Sequence, residues 1–284
     1  MDFLEWEFTN VGVGSYSTSS TTMIPQSGDG ALYLETSNPN TGPWAAYVMG
    51  YGGSTTTLVN ATITLPSSAS YIPCAVAYCT TSFVTTGHGT LGGVEVVSFW
   101  VGLGQVAPIW QAGVDVVEGY TYDGLGSLIQ VIQAWWEVYT GPSSTYTGVS
   151  LAMSLGDRVD IEVDAVNSTT TFYYFDDLTN HNTAQGYVQI AAPTNDFAEW
   201  VVEDPQTASG AVQMPNWNSA SFSYPVVFMS CTGDSCPTVA QSFLAPLYSQ
   251  ELYETDCYQF NTCTNWDLSP GYVTSPYETF SVLT

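Results

Sequence analysis

From Leu91 to Tyr224 apolar residues recur at every second position in short runs, and the three- and four-residue spacing of an amphipathic helix is nearly absent. Turn-forming text separates the runs at Gly102–Gly104, Asp123-Gly124, Gly141-Pro142, Gly156-Asp157 and Asn180–Asn182. Among them Asp160-Ile161-Glu162-Val163-Asp164-Ala165-Val166 alternates acid with hydrocarbon. That is the pattern of an antiparallel strand with one face in a core and its carboxylates in water, so these acids are surface groups and not reactive ones. Upstream, Gly50-Tyr51-Gly52-Gly53 turns the chain into a β-branched strand, Leu58–Leu65, which Pro66 stops. Many short strands at this spacing give an all-β chain, closed as a two-sheet sandwich or a barrel.

The 284 residues suffice for one large all-β domain or for a domain with an appendage. Among them 26 Asp and Glu face a single basic side chain, Arg158, for a net charge of -25. Such a field makes nucleic acid and anionic membrane surfaces poor partners. Below about pH 4 the acids take up protons and the self-repulsion largely vanishes. This suits a secreted protein in an acidic extracellular environment; a merely solvated acidic surface accounts for the same composition. Met1-Asp2-Phe3-Leu4-Glu5 lacks the basic start and apolar run of a signal peptide, and the expectation is that the numbering begins after processing, behind an added methionine. No run of about 20 apolar residues offers a membrane span.

The cysteines lie in three close pairs, Cys74 with Cys79, Cys231 with Cys236 and Cys257 with Cys263. Short loops close most readily, so three local disulfides are expected, although six cysteines leave other connectivities open. No metal and no cofactor is expected, because tight Cys-x2-Cys spacings are missing and the only histidines, His88 and His181, stand alone.

One run carries reactive text. In Phe197-Ala198-Glu199-Trp200-Val201-Val202-Glu203-Asp204 the alternation sends Phe197, Glu199, Val201 and Glu203 to one face, and Ala198, Trp200, Val202 and Asp204 to the other. The same rule groups Ile109, Gln111, Gly113 and Asp115 in Trp110-Gln111-Ala112-Gly113-Val114-Asp115. If those faces meet in one groove, a carboxylate and a carboxamide can share a water, which is a workable arrangement for hydrolysing an amide. A Ser-His-Asp reading competes poorly, since His88 lies in a loop and an imidazole is protonated in acid. An Asp-Thr-Gly pair is also missing.

These two stretches, with Trp100-Val101-Gly102-Leu103-Gly104 before them, resemble the ordered motifs of the glutamic peptidases called eqolisins. The family strands run approximately Trp-Val-Gly-Ile-Asp, Leu-Gln-Thr-Gly-Val-Asp and Ala-Glu-Trp-Ile-Val-Glu-Asp. Between them Gln133-Ala134-Trp135-Trp136-Glu137-Val138-Tyr139 is similar to the family's Ala-Trp-Tyr-Glu-Trp-Tyr strand, and Ser154-Leu155-Gly156-Asp157 to its Glu-Gly-Asp turn. Trp44-Ala45-Ala46-Tyr47 is similar to its Trp-Gly-Gly-Ala opening. One position departs: Gly104 stands where the family has Asp.

The resemblance covers about residues 44–224 and selects the antiparallel two-sheet β-sandwich, concanavalin- or lectin-like, over the barrel. It implies an acid endopeptidase in which Glu199 is the general base and Gln111 stabilises the oxyanion, with a polypeptide as substrate; the chain is expected to be a monomer. Trp100, Trp135, Glu137 and Tyr139 then line the substrate groove, with Asp115 and Glu203 as its walls or structural acids; aromatic packing on a sheet face is the plain alternative for the first set. A reading from another class is an inactive extracellular sandwich that binds carbohydrate or peptide, or a surface structural protein. Against it stands the joint presence of Gln111 and Glu199, for which a pure binding module has no chemical need.

Outside that core, residues 1–43 form a segment of uncertain role containing a Ser/Thr-rich loop at Ser15–Thr22. Residues 225–284 form a Cys- and Pro-rich extension, stapled by disulfides and packed on or beside the sandwich. Pro237 and Pro246 limit any helix between them to about two turns. Asn60-Ala61-Thr62 and Asn167-Ser168-Thr169 fit the N-glycosylation pattern, a match that also arises by chance.

Overall fold

The computed structural model describes residues 5–10, 44–50, 54–71, 83–86, 89–104, 108–121, 127–140, 146–189, 197–203, 205–207, 210–211, 215–217, 219–231, 249–252 and 268–274. Among them every regular element is a strand, as the alternation requires. One sheet has seven strands in the order β12 (Asn182–Gln189), β11 (Thr170–Asp177), β10 (Arg158–Asn167), β3 (Ser54–Thr64), β17 (Ser219–Cys231), β1 (Glu5–Asn10) and β19 (Leu268–Thr274). The other runs β18 (Ser249–Leu252), β2 (Trp44–Gly50), β13 (Phe197–Glu203), β6 (Gly89–Leu103), β7 (Ile109–Thr121), β8 (Leu128–Tyr139) and β9 (Thr147–Val149), with β5 (Phe83–Thr86) beside β6. Two small ribbons pair β4 (Ala69–Ser70) with β16 (Asn216–Trp217), and β14 (Gln206–Thr207) with β15 (Gly210–Ala211). The pairings within both sheets are antiparallel, giving the expected two-sheet sandwich.

The core is built by alternate residues of both sheets. Val59, Ala61 and Ile63 of β3 and Val159, Ile161 and Val163 of β10 meet Phe99 and Val101 of β6, Ala112 and Val114 of β7, and Ala198, Trp200 and Val202 of β13. Burying Val, Ile and Phe in this way contributes about 1.5–3 kcal/mol per side chain, which is why the apolar parity of each strand fixes its inner face. Trp200 adds a directed link across the sandwich, its indole N–H donating to the Asn60 carbonyl at 3.1 Å. Because Glu199 precedes Trp200, this bond anchors the strand that carries the glutamate.

On the opposite face of β10, Asp160 accepts from Asn60 Nδ2 and Thr62 Oγ1, each at 3.2 Å, so the alternating acids serve the outer surface. The Ser154–Asp157 turn is likewise structural. Asp157 Oδ2 accepts from the Ser154 N–H at 2.6 Å and from Asn180 Nδ2 at 2.8 Å, and the same amide reaches Asp177 Oδ2 at 2.7 Å. Gly156 makes the turn possible with φ 81, a region that side chains other than glycine's rarely occupy.

The outer segments enter the sheets through β1 and β19 on one side and β18 on the other, and β17 runs through residue 224. Cys231 closes β17; Cys74, Cys79, Cys236, Cys257 and Cys263 lie outside the described residues, as do His88, the Ser15–Thr22 loop and the segment between Pro237 and Pro246.

Candidate active site

The face of the eight-stranded sheet turned away from the core carries the candidate side chains in register. Glu199 of β13 lies opposite Gly102 of β6, Gly102 opposite Gln111 of β7, and Gln111 opposite Glu137 of β8. Two pleats along, a second row reads Glu203, Ser98, Asp115 and Gln133. Between them runs Val201, Trp100, Gly113, Trp135 and Gly148. Glu199 and Gln111 are thus two strand spacings apart, about 10 Å between Cα atoms. The intervening strand contributes Gly102 to this row, and the Trp100 ring of the same strand lies against that glycine.

The tryptophans tile the floor. A Cβ on Gly102 would come 2.7 Å from Trp100 Cζ3, and one on Gly113 would come 2.5 Å from Trp100 Cβ and 2.8 Å from Trp135 Cζ2. Both glycines therefore let the indoles lie flat against the backbone. Trp100, Trp135, Ile109 and Val201 form one buried cluster, with Tyr139 packed on its edge. Each indole is tied to an acid: Trp100 Nε1 donates to Glu203 Oε2 at 2.8 Å, and Trp135 Nε1 to Asp115 Oδ1 at 2.6 Å. Glu203 and Asp115 stand four residues after Glu199 and Gln111 respectively, so each motif supplies both a candidate site residue and the anchor for a neighbouring ring.

Gln111 Nε2 donates to Glu137 Oε2 at 2.6 Å, while Gln111 Oε1 has no partner among the described residues. Glu199 is 0% exposed, and neither of its carboxylate oxygens has a hydrogen-bond partner there. Burial, and then the charge of Glu203, push its pKa well above the ordinary glutamate value. Burial also raises Glu137, with the Gln111 amide opposing that rise. Among the described residues no group of three or more His, Cys, Asp or Glu is placed to hold a metal ion.

Sequence reasoning missed Ser98, whose hydroxyl donates to Asp115 Oδ1 at 2.5 Å. Its signal was present in the parity it shares with Trp100 and Gly102. It also missed Tyr146, whose ring lies 6.0 Å from Trp135 and which follows a connection with no periodicity to read. Gly104 is buried at φ 109, so the backbone at the departing position has a conformation that an aspartate would adopt only under strain.

Asp115 gives a stability prediction. Burial raises its pKa from 3.8 to about 7, against the two hydrogen bonds from Ser98 and Trp135 that lower it, while the Glu137 charge adds to the rise. The unfolded chain releases this proton near pH 4 and the folded chain keeps it, so stability falls as pH rises from about 4 to about 7. A difference of about three pH units, at about 1.4 kcal/mol each, makes the loss about 4 kcal/mol for this one group. Glu199 and Glu137 act in the same direction. The expected result is a melting temperature that declines across this range and declines less in Asp115→Asn; a steady rise at low salt would contradict it.

The class of this protein is a glutamic endopeptidase, a hydrolase of peptide bonds, as a family model matching most of the chain shows. The chain belongs to the Peptidase A4 family, the eqolisins, whose model matches residues 43–242. A crystal structure of scytalido-glutamic peptidase with a peptide-based transition state analog superposes with a TM-score of 0.51 at 19% identity, covering 80% of this chain and 98% of that one. A complex of that peptidase with a transition state analog inhibitor gives 0.49 at 20% identity, with the same coverage. SCP-B, described as a member of the eqolisin family and bound to the tripeptide Ala-Ile-His, gives 0.43 at 18%, covering 80% and 98%. No curated protein matches the chain significantly. Polypeptides are accordingly its substrates, and among the described residues no helix is long and apolar enough to cross a membrane.

Proposed function

We propose that Glu199 and Gln111 carry the peptidase reaction, as general base and oxyanion donor, in a secreted monomeric enzyme working in acid. The observation that supports this reading is their shared row, in which Gly102, with the Trp100 ring against it, is the residue between them. A water held there gives a proton to Glu199 while its oxygen attacks the scissile carbonyl carbon. The developing oxyanion accepts an N–H from Gln111 Nε2, whose other hydrogen is held by Glu137. Glu199 then returns the proton to the amide nitrogen as the C–N bond breaks. A carboxamide suits this role in acid because its donor does not titrate. Trp100 and Trp135, fixed by Glu203 and Asp115, form the bed on which the peptide lies, with Glu137 and Tyr139 at its side.

The test is cleavage of a denatured protein between about pH 2 and about pH 8, a range that spans a carboxylate base of ordinary or raised pKa. Cleavage insensitive to pepstatin, chelators and serine or cysteine reagents is expected. No cleavage anywhere in that range would favour an inactive binding sandwich instead.

The pH profile follows from the environment of Glu199. Its ionised form does the work, and burial and the Glu203 charge both disfavour that form, so the acid limb lies above the ordinary glutamate range. Glu203→Gln keeps an acceptor for Trp100 but removes the neighbouring negative charge. The expected result is an acid limb of kcat/KM displaced to lower pH, with folding retained. A limb that stays in place or moves upward would disconnect Glu199 from catalysis.

A further inference from the structure

The two Asn-x-Thr triplets occupy opposite environments. Asn60 lies inside β3, opposite Glu162 of β10 and Val226 of β17, with a strand on either side. Its side-chain nitrogen already donates to Asp160 Oδ2, its backbone carbonyl accepts from Trp200, and the hydroxyl of Thr62, a residue only 4% exposed, is bound to Asp160 Oδ1. An acceptor asparagine must offer a free amide nitrogen at the surface, and the Asn60 amide is half-buried with its nitrogen already held by Asp160.

Asn167 ends β10 opposite Thr170 of β11, and Ser168 and Thr169 form the turn between them, with all three residues of the triplet exposed. Thr169 donates twice to Asn167 Oδ1, from its N–H at 2.9 Å and from Oγ1 at 3.0 Å. Two donors on one atom fix which end of the amide is oxygen and close an Asx turn. The amide nitrogen, the atom to be modified, is then the end left out of the turn. The hairpin belongs to the seven-stranded sheet, whereas the reactive row lies on the outer face of the other sheet, so a bulky group at Asn167 leaves the groove open.

We propose that Asn167 is an acceptor for an N-linked glycan and that Asn60 is not. The donor class is an oligosaccharide on a polyprenyl diphosphate, presented by a membrane-bound transferase as the chain is exported. Asn167 Nδ2 attacks the anomeric carbon, the bond from that carbon to the phosphate oxygen breaks, the amide gives up one proton, and the polyprenyl diphosphate leaves with the bonding electrons.

The test is secretion of the full chain from a yeast, followed by intact-mass measurement and peptide mapping before and after treatment with peptide N-glycosidase. Only material that melts cooperatively is counted. One glycan is expected, on the peptide containing Asn167, where the enzyme leaves a carboxylate in place of the amide. Asn167→Gln and, separately, Thr169→Ala should each remove it while acid proteolysis persists, which keeps this result independent of the proposed catalytic pair. A bare Asn167, or a glycan on Asn60 in the folded protein, would overturn the proposal.

Discussion

Glu199→Gln is expected to reduce turnover to background, a loss of about 10⁴-fold or more, because it removes the proton acceptor while leaving the size of the side chain unchanged. Folding should survive, since below its raised pKa the native glutamate is itself a neutral, hydrogen-bearing group in that position. Binding of an uncleaved peptide, measured by calorimetry, should also persist, and thermal melting should confirm the fold. The alternative outcome is informative. Near-normal turnover in Glu199→Gln, with activity abolished in Glu203→Gln or Asp115→Asn, would show that the base belongs to the second row and that Glu199 is only a buried acid.

Gln111→Ala is expected to cost about 10²–10³-fold in kcat, the usual effect of losing one oxyanion donor. The variant also strips Glu137 of its 2.6 Å donor, so the pKa of Glu137 should rise further and the pH profile should change shape. Gln111→Glu is the sharper substitution. Its new carboxyl would face Glu137 directly and Glu199 across Gly102, and closely spaced carboxyls hold a proton between them. Residual activity should then be confined to lower pH than in the parent enzyme. Retention of the parent rate and profile by Gln111→Ala would remove Gln111 from the mechanism.

Parity was legible in the sequence because a strand's side chains alternate whatever it pairs with. Glu199 with Glu203, and Gln111 with Asp115, had to share faces, and Val159, Ile161 and Val163 had to turn inward while Asp160, Glu162 and Asp164 turned out. The all-β class was accessible by the same route, and the resemblance in motif order selected the sandwich over the barrel. The Gly156-Asp157 turn was visible as a turn, but its hydrogen bonds to Ser154 and Asn180 were not.

Register was the property that only the tertiary structure decided. Glu199 and Gly102 are almost a hundred positions apart in the chain, and a slip of two residues between β13 and β6 would preserve every face while setting Glu199 opposite Trp100 or Gly104. Interstrand hydrogen bonding selects Glu199, Gly102, Gln111 and Glu137 as one row, and that choice creates the Gln111–Glu137 and Ser98–Asp115 bonds. Burial is likewise a property of the assembled sheets. The residue type gives Glu199 an ordinary acidity; enclosure beside Glu203, with no donor on either oxygen among the described residues, is what makes it a stronger base.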